Sequence, residues 1–292
     1  MPLEKLSPCK INLLLNILGK RPDGFHELET IMQPVPIFDR LTFDRAAQRK
    51  EILLSCDQAE LPVDSTNLVH RAATTFLKAA GIYEGVTIHL EKKIPMAAGL
   101  GGGSGNAATT LLGLNELFGK ALSPEHLQSL AASLGSDVPF FLQTKPALAT
   151  GRGETITSLE KFRALQGKSL LLIHPGFGIA TAWAYQALAQ FPEALNGRPG
   201  RAQNLITLLQ ATDLALAGKE FYNSLEAPAL RKYPILILYQ EFLRAEGALA
   251  TLMSGSGSST FAFFANAAQA TSAEEKFRQK FGQCWTAVVD FD

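Results

Sequence analysis

The sequence contains little cysteine. Its three cysteines, Cys9, Cys56 and Cys284, are widely separated, and no two of them form a C-x-x-C pair. An odd number of scattered thiols argues against a disulfide framework and against a structural zinc site. Such cysteine usage is typical of proteins in a reducing compartment, and we therefore expect a cytoplasmic protein.

The sequence also lacks an excess of charge of either sign. Lys+Arg and Asp+Glu both number 27, so the formal net charge is zero. A general nucleic-acid binder carries an excess of basic residues, and we therefore predict no nucleic-acid partner, although a small local basic patch is compatible with this balance. Hydrophobic residues make up 47% and charged residues 18% of the chain, which is typical of a compact globular protein.

Long apolar runs are absent as well. No run approaches the roughly 20 residues that a membrane-spanning helix needs, which predicts no membrane partner and a soluble protein. The apolar stretch near the N-terminus is interrupted by Lys10 and Asn12 and predicts a strand rather than a signal peptide. The length of 292 residues favours two domains.

Hydrophobic periodicity predicts strands that alternate with helices, and this order favours an α+β fold. We place the domain boundary within 155–168, giving domains 1–160 and 161–292, and we find no internal repeats. The predicted strands are 10–18, 41–55, 86–91, 169–173, 248–253, 258–264 and 284–290; the predicted helices are 65–80, 107–118, 123–135, 181–190, 202–217, 235–246 and 268–280.

Glycine, by contrast, is concentrated in one place. The segment from Gly99 to Gly105, G-L-G-G-G-S-G, has five glycines in seven residues and directly precedes a helical pattern. A glycine-rich loop that opens a helix presents unpaired N–H groups and the positive end of the helix dipole. It predicts a phosphate site and hence a nucleotide-using protein, the alternative being a flexible loop. No G-x-x-x-x-G-K-[ST] motif occurs, and a dinucleotide fingerprint is disfavoured.

Three other features each allow two interpretations. Lys10 interrupts an apolar strand, either as an edge lysine facing solvent or as a semi-buried lysine beside an active carboxylate. Asp137 lies among apolar residues, either capping a turn or as a poorly solvated carboxylate that needs a partner. The second glycine/serine turn, 253–259, is a tight hairpin or a place where a phosphate-bearing ligand approaches. His26, taken alone, is typical of a surface histidine.

Together these segments resemble the GHMP kinase superfamily. The resemblance rests on PMAAGLGGGSGNAATTLLGLN (95–115), which is similar to the superfamily's ATP-phosphate loop, and on LMSGSGSSTFAFF (252–264), similar to its C-terminal glycine motif. The segment 7–33 narrows it to members that phosphorylate the 2-hydroxyl of diphosphocytidyl-methylerythritol in non-mevalonate isoprenoid synthesis. The resemblance implies a ribosomal-protein-S5-domain-2-like N-terminal domain and a ferredoxin-like C-terminal domain.

The resemblance also implies roles for individual residues. Asp137 corresponds to the base that takes the hydroxyl proton, and Lys10 to the lysine that assists it. ATP is the implied phosphoryl donor and Mg²⁺ the expected cofactor, with no metal ligand assigned. The implied ATP-binding residues are Pro95, Met96, Ala97, Ala98, Gly99, Leu100, Gly101, Gly102, Gly103, Ser104, Gly105, Asn67 and Lys92.

A cytidine pocket is implied by the same resemblance. Phe25, His26 and Tyr185 correspond to residues that frame the cytosine, Asn12 approaches the erythritol end, and Thr181 joins the substrate-binding set. The chain departs from the superfamily pattern at four positions without losing the implied base or lysine. These are Phe25 for tyrosine, Ala98 for glycine, Gly105 for serine and Ser224 for aspartate.

Three rival functions stay open. Another GHMP kinase or related decarboxylase would share Asp137 and the loop but would not bring Phe25, His26 and Tyr185 to one pocket. A catalytically inert nucleotide sensor is disfavoured because both Lys10 and Asp137 are present. An RNA-binding role is disfavoured by the neutral charge. We expect small-molecule partners, ATP and a cytidine-diphosphate sugar alcohol, and a monomer or weak homodimer.

Overall fold

The computed structural model describes residues 2–46 and 50–291. Strands and α-helices are interspersed along the described chain, together with four short 3₁₀ helices. The elements are β1 (Leu3–Lys20), β2 (His26–Ala46), β3 (Ile52–Cys56), α1 (Leu68–Ala79), β4 (Gly85–Glu91), α2 (Gly102–Leu117), α3 (Pro124–Leu134), β5 (Ala147–Gly151), β6 (Thr155–Ser158), β7 (Lys168–His174), α4 (Thr181–Ala187), α5 (Pro192–Leu195), α6 (Arg201–Gln210), α7 (Leu214–Ala217), β8 (Tyr222–Asn223), α8 (Glu226–Lys232), α9 (Ile235–Ala245), β9 (Ala250–Met253), β10 (Thr260–Phe264), α10 (Ala267–Phe281) and β11 (Trp285–Phe291).

The predicted α+β class is confirmed, and most predicted elements appear within a few residues of their expected positions. The predicted strand 41–55 is wrong as a single element, because β2 ends at Ala46 and β3 begins at Ile52. Residues 47–49 of that prediction lie outside the described residues. No helix in the described part of the chain is long and apolar enough to cross a membrane.

The chain packs as two compact units, each built from separate stretches, and β1 and β2 contribute residues to both. The first unit comprises Met1–Cys9, Pro36–Ile94 and Gly101–Thr144. In it the C-terminal part of β2 pairs antiparallel with β4, and β4 pairs in parallel with β3. Helices α1, α2 and α3 pack on one another. Large buried rings such as Phe43 and Phe76 fill this core, each worth about 1.5–3 kcal/mol of burial.

The second unit comprises Lys10–Val35, Pro95–Leu100 and Lys145–Asp292. Here β1 pairs in parallel with β8, and the N-terminal part of β2 pairs antiparallel with β5, which pairs with β6. A second, antiparallel sheet has the order β11-β7-β10-β9, and helices α9 and α10 pack against it. The predicted boundary near residue 160 concerns the family's domains and stays a prediction.

Candidate active site

The N-terminus of α2 provides the group of donors that the glycine run predicts. Gly101 is its N-cap in a left-handed conformation, with no side-chain cap, and the first helical bond runs from the Gly105 N–H to the Gly101 carbonyl at 2.8 Å. The N–H groups of Gly102, Gly103 and Ser104 therefore have no acceptor within the helix. Three such donors at the positive end of a helix dipole suit a phosphate.

Gly105 allows this helix to lie close to β1. A Cβ atom on Gly105 would lie 2.6 Å from the Pro8 carbonyl oxygen and 3.1 Å from Ser7 Oγ. The serine usual at this point of the superfamily's loop would therefore force α2 or β1 to shift. This departure from the superfamily pattern thus has a steric reason within the first unit.

Lys92 is buried beneath the first turn of α2 rather than exposed. Its ammonium forms an ion pair with Asp39 and donates to Asn106 Oδ1 at 3.1 Å. A Cβ on Gly102 would lie 3.3 Å from this ammonium. The role of Lys92 in ATP binding stays a prediction, and its position places it next to the helix N-terminus.

Asn67 has a local structural role at the start of α1. Its Oδ1 accepts from the Val69 N–H at 2.9 Å, which makes it the N-cap, and its Nδ2 donates to the Pro62 carbonyl at 2.6 Å. The next residue, Leu68, is the nearest neighbour of a Cβ built on Gly103, at 3.6 Å. Asn67 is therefore carried close to the start of α2, while its contact with a nucleotide stays a prediction.

Asp137 lies half-buried in the turn between α3 and the 3₁₀ helix Pro139–Leu142. That 3₁₀ helix packs against α2, and a ring carbon of Phe141 lies 3.6 Å from where Gly105 would carry a Cβ. The apolar residues that follow Asp137 therefore anchor the turn that carries Asp137 on α2.

Lys10 and Asn12 form a buried polar pair on β1 in the second unit. Their side chains are 3% and 2% exposed, so the edge-lysine interpretation of Lys10 is wrong. Lys10 Nζ donates to Asn12 Oδ1 at 2.5 Å and, more weakly, to the Gly99 carbonyl at 3.5 Å. Asn12 in turn donates to Thr30 Oγ1 at 2.8 Å, which fixes the amide orientation. The ammonium is therefore held beside the predicted phosphate loop.

The segment Pro95–Leu100 rests on the second glycine/serine turn. Ser254 Oγ donates to the Gly99 carbonyl at 2.9 Å, and the Ser259 N–H donates to the Ala98 carbonyl at 3.1 Å. Gly99 has φ +77°, and a Cβ there would overlap the Ser254 carbonyl. Met96 and Ala97 are exposed, whereas Leu100 is buried and its carbonyl accepts from the Lys10 N–H at 2.9 Å.

Asn223 stabilises that second turn and was missed at the sequence level. Its Nδ2 donates to the carbonyls of Met253 and Gly255, both at 2.8 Å. Its Oδ1 accepts from the nearby Leu225 N–H at 2.9 Å, but the two carbonyls that it holds in the turn lie 30 and 32 residues away, so the sequence pattern does not reveal this role. Asn223 therefore holds in place the turn that donates hydrogen bonds to the Gly99 and Ala98 carbonyls.

Two of the three residues predicted to frame a cytosine, His26 and Tyr185, are in contact at one end of the β1–β2 hairpin, and Phe25 directly precedes His26. The rings of His26 and Tyr185 are 5.1 Å apart, and the Arg152 guanidinium lies 4.6 Å over the exposed ring of Phe25. Thr181 Oγ1 and Ser256 Oγ are 3.0 Å apart, which connects the start of α4 to the second glycine turn. Burial, followed by the nearby charge of Lys20, lowers the pKa of His26 below its ordinary value.

Within the described residues no group of three or more His, Cys, Asp and Glu side chains could hold a metal ion. The N–H groups at the start of α2 suit phosphate oxygens rather than a cation. These residues therefore do not form a protein metal cage. A magnesium ion held chiefly by phosphates and water needs none.

Comparison with known proteins relates the chain as a whole to one family. The model described as GHMP kinases N terminal domain matches residues 67–145, and the one described as GHMP kinases C terminal matches residues 194–283. The 4-diphosphocytidyl-2-C-methyl-D-erythritol kinase of Synechococcus sp. (strain JA-3-3Ab) is 42% identical over 98% of this chain and 93% of its own. The enzyme of that name from Pelotomaculum thermopropionicum is 40% identical over 96% of this chain and 95% of its own.

A solved structure shows the same likeness in three dimensions. The crystal structure of a 4-(cytidine 5'-diphospho)-2C-methyl-D-erythritol kinase matches with a TM-score of 0.80 and 35% identity. The match covers 99% of this chain and 100% of that one. The predicted two-domain fold of the superfamily is therefore confirmed.

Proposed function

Because the chain belongs to the 4-diphosphocytidyl-2-C-methyl-D-erythritol kinase family of the GHMP kinases, we propose that it phosphorylates 4-diphosphocytidyl-2-C-methyl-D-erythritol. The γ-phosphoryl group of ATP is transferred to the 2-hydroxyl of this alcohol, as a step of non-mevalonate isoprenoid synthesis. The observation that carries the proposal is an identity of about 40% with enzymes of this name along nearly the whole chain.

The phosphates of ATP bind at the N-terminus of α2. This part of the proposal is supported by the three N–H groups of Gly102, Gly103 and Ser104, which have no acceptor within the helix. The segment Pro95–Leu100 completes the loop. Its shape depends on Ser254 and Ser259 of the second glycine turn.

Asp137 acts as the base that accepts the 2-hydroxyl proton, and Lys10 stabilises the alkoxide that develops. Support for Lys10 comes from its burial and from its ammonium, which lies beside the Gly99 carbonyl of the loop. Support for Asp137 comes from its turn, which is anchored on α2 near Gly105. In such a reaction catalysis is largely positioning and electrostatic stabilisation.

The cytosine binds at the hairpin end that carries Phe25 and His26. The 5.1 Å contact between His26 and Tyr185 supports this, because it brings together two residues 159 positions apart. Stacking of a base on an aromatic face is worth about 1–3 kcal/mol. Asn12 and Thr181 complete the substrate set. Bound Mg²⁺ would neutralise the phosphate charge of the nucleotide.

ADP release with four alcohols tests the reaction. We expect turnover with 4-diphosphocytidyl-2-C-methyl-D-erythritol and little with mevalonate, homoserine or galactose. A preference for any of these three would assign the chain to another GHMP activity.

Asp137→Asn tests the base. The substitution keeps the size of the side chain but removes the proton acceptor, so kcat is expected to fall by about 10²–10⁴-fold with the KM for ATP little changed. Asp44→Asn, at an exposed aspartate of the same unit, is the matched control and should retain full activity. Near-normal turnover by the Asp137 variant would exclude this residue as the base.

A further inference from the structure

The first turn of α2 has almost no side chain with which to anchor itself. Gly102, Gly103 and Gly105 carry none, and Ser104 is half-exposed. The first buried polar side chain along the helix is Asn106, which is 2% exposed. The position of the helix start therefore depends on what holds Asn106.

Asn106 is held by a buried cluster of three residues, Ser7 on β1, Asp39 on β2 and Lys92 just after β4. Its Nδ2 donates to Asp39 Oδ2 at 2.9 Å and to Ser7 Oγ at 3.0 Å, and its Oδ1 accepts from Lys92 Nζ at 3.1 Å. The amide nitrogen of Asn106 thus donates two hydrogen bonds and its oxygen accepts one, each with a partner of the correct type.

Asp39 is the centre of this cluster. Its side chain is fully buried, and its Oδ1 accepts from the N–H groups of Lys93 and Ile94 at 2.8 and 2.9 Å. Its Oδ2 accepts from Asn106 and forms the ion pair with Lys92. One carboxylate therefore ties β2 to the end of β4 and to the second turn of α2.

We propose that Asp39 is a positioning residue for the ATP phosphates, acting through Asn106 and Lys92 to fix the N–H groups at the start of α2. This inference rests on the proposed use of that helix end for ATP. A shift of the helix start that separated Lys92 from Asp39 would leave a buried charge unpaired, which is strongly unfavourable. The ion pair therefore favours one position of the helix start.

The Asp39–Asn106 hydrogen bond can be tested by exchanging the carboxylate and the amide between these two positions. Asp39→Asn leaves an amide oxygen for the Lys93 and Ile94 N–H groups but turns donors towards Lys92 and Asn106. Asn106→Asp places two carboxylates together. The double variant D39N/N106D restores one carboxylate beside Lys92, and the new amide at position 39 can donate to the new carboxylate at position 106. One amide N–H at position 39 then faces the Lys92 ammonium, so the exchange restores the charge balance but only part of the hydrogen bonding.

Affinity for ATP is measured by titration calorimetry, without the alcohol, alongside steady-state kinetics and thermal unfolding. We expect each single variant to weaken ATP binding at least tenfold, with the KM for the alcohol changed less than twofold. The double variant, in which one carboxylate again balances Lys92, should bind ATP more tightly than either single variant. A further variant, Asn106→Ala, keeps the Asp39–Lys92 pair and should weaken ATP binding in the same direction.

Two outcomes would overturn the proposal. One is a folded Asp39→Asn protein that binds ATP as the unaltered enzyme does. The other is a double variant no better than the weaker single one. A purely structural role would lower the unfolding temperature without the selective change in ATP affinity. If the unaltered enzyme binds ATP but does not phosphorylate the cytidyl alcohol, the proposed function fails while the positioning role is still measured.

Discussion

His26 is the residue whose chemistry is most directly tied to the proposed recognition of a cytosine. It lies half-buried against Tyr185, and burial lowers its pKa from the ordinary value of 6.5. At neutral pH the ring is therefore uncharged and offers one donor and one acceptor. Both are useful for hydrogen bonding to the edge of a cytosine.

We expect the KM for the cytidyl substrate to be constant above pH 6.5 and to rise at lower pH. The direction follows from the lowered pKa: the imidazolium forms only below 6.5, and its acceptor is then lost. The rise should reach about tenfold one pH unit below the midpoint. The measurement is a pH profile of KM from pH 5 to 8.

His26→Gln is the control for that profile, because glutamine keeps a donor and an acceptor but does not titrate in this range. Its KM should be independent of pH. His174, whose pKa burial also lowers, lies beside Ser258 and Ser259. An acid rise that persists in the His26 variant would assign the titration to another group.

Single residues were predictable from the sequence only where their type was unusual in its surroundings. Lys10 is a charged residue within an apolar stretch of sequence, and in the structure it is buried. Asp39 gave no such signal, because its partners Lys93, Ile94 and Asn106 lie 54 to 67 positions away. A carboxylate that accepts hydrogen bonds from backbone groups in a distant segment of the chain produces no recognisable pattern in the nearby sequence.

At the scale of elements, the two glycine-rich turns support each other. The second turn donates to the Gly99 and Ala98 carbonyls through Ser254 and Ser259. The approach is close because Gly99 lacks a side chain and adopts φ +77°. The first loop therefore has its shape only when the second is correctly formed.

Gly99→Ala should lower the free energy of unfolding by about 2–4 kcal/mol and weaken ATP binding. About 1–2 kcal/mol comes from the left-handed backbone and the remainder from overlap with the Ser254 carbonyl. Gly247→Ala is the matched control, since Gly247 has φ +88° but open space around its Cβ position. It should cost only the backbone part. Urea unfolding measures both, and equal losses would contradict the steric argument.

Elements with clear end signals were predicted well, and those without were not. α3 begins after Ser123, which caps it, has Pro124 at its first position and ends at Gly135, as the sequence indicates. The start of α2 was placed too late, at Ala107, because glycines contribute nothing to apolar periodicity. The helix in fact begins at Gly102. A residue without a side chain can be helical without leaving a pattern.

For the whole molecule, the balanced charge determines how its ligands are attracted. The net charge is zero, yet both proposed substrates are polyanions. A protein without an overall positive field must obtain affinity from local groups. The local groups that the proposal assigns are the helix N-terminus for ATP and the aromatic residues at the hairpin end for the cytidine.

Ligand-induced stabilisation therefore separates the two proposed sites without any turnover. Cytidine diphosphate at 100 times its Kd should stabilise the folded chain by about 2.7 kcal/mol, which raises the unfolding temperature by about 5 °C. Uridine diphosphate carries the same phosphates and sugar but reverses the donor and acceptor at positions 3 and 4 of the base, so at the same concentration it should stabilise less. Phe25→Ala should reduce the cytidine diphosphate shift and leave the ATP shift intact. Equal shifts at equal concentrations would show that the edge of the base is not read, because the phosphates, the sugar and the stacking face are common to the two diphosphates.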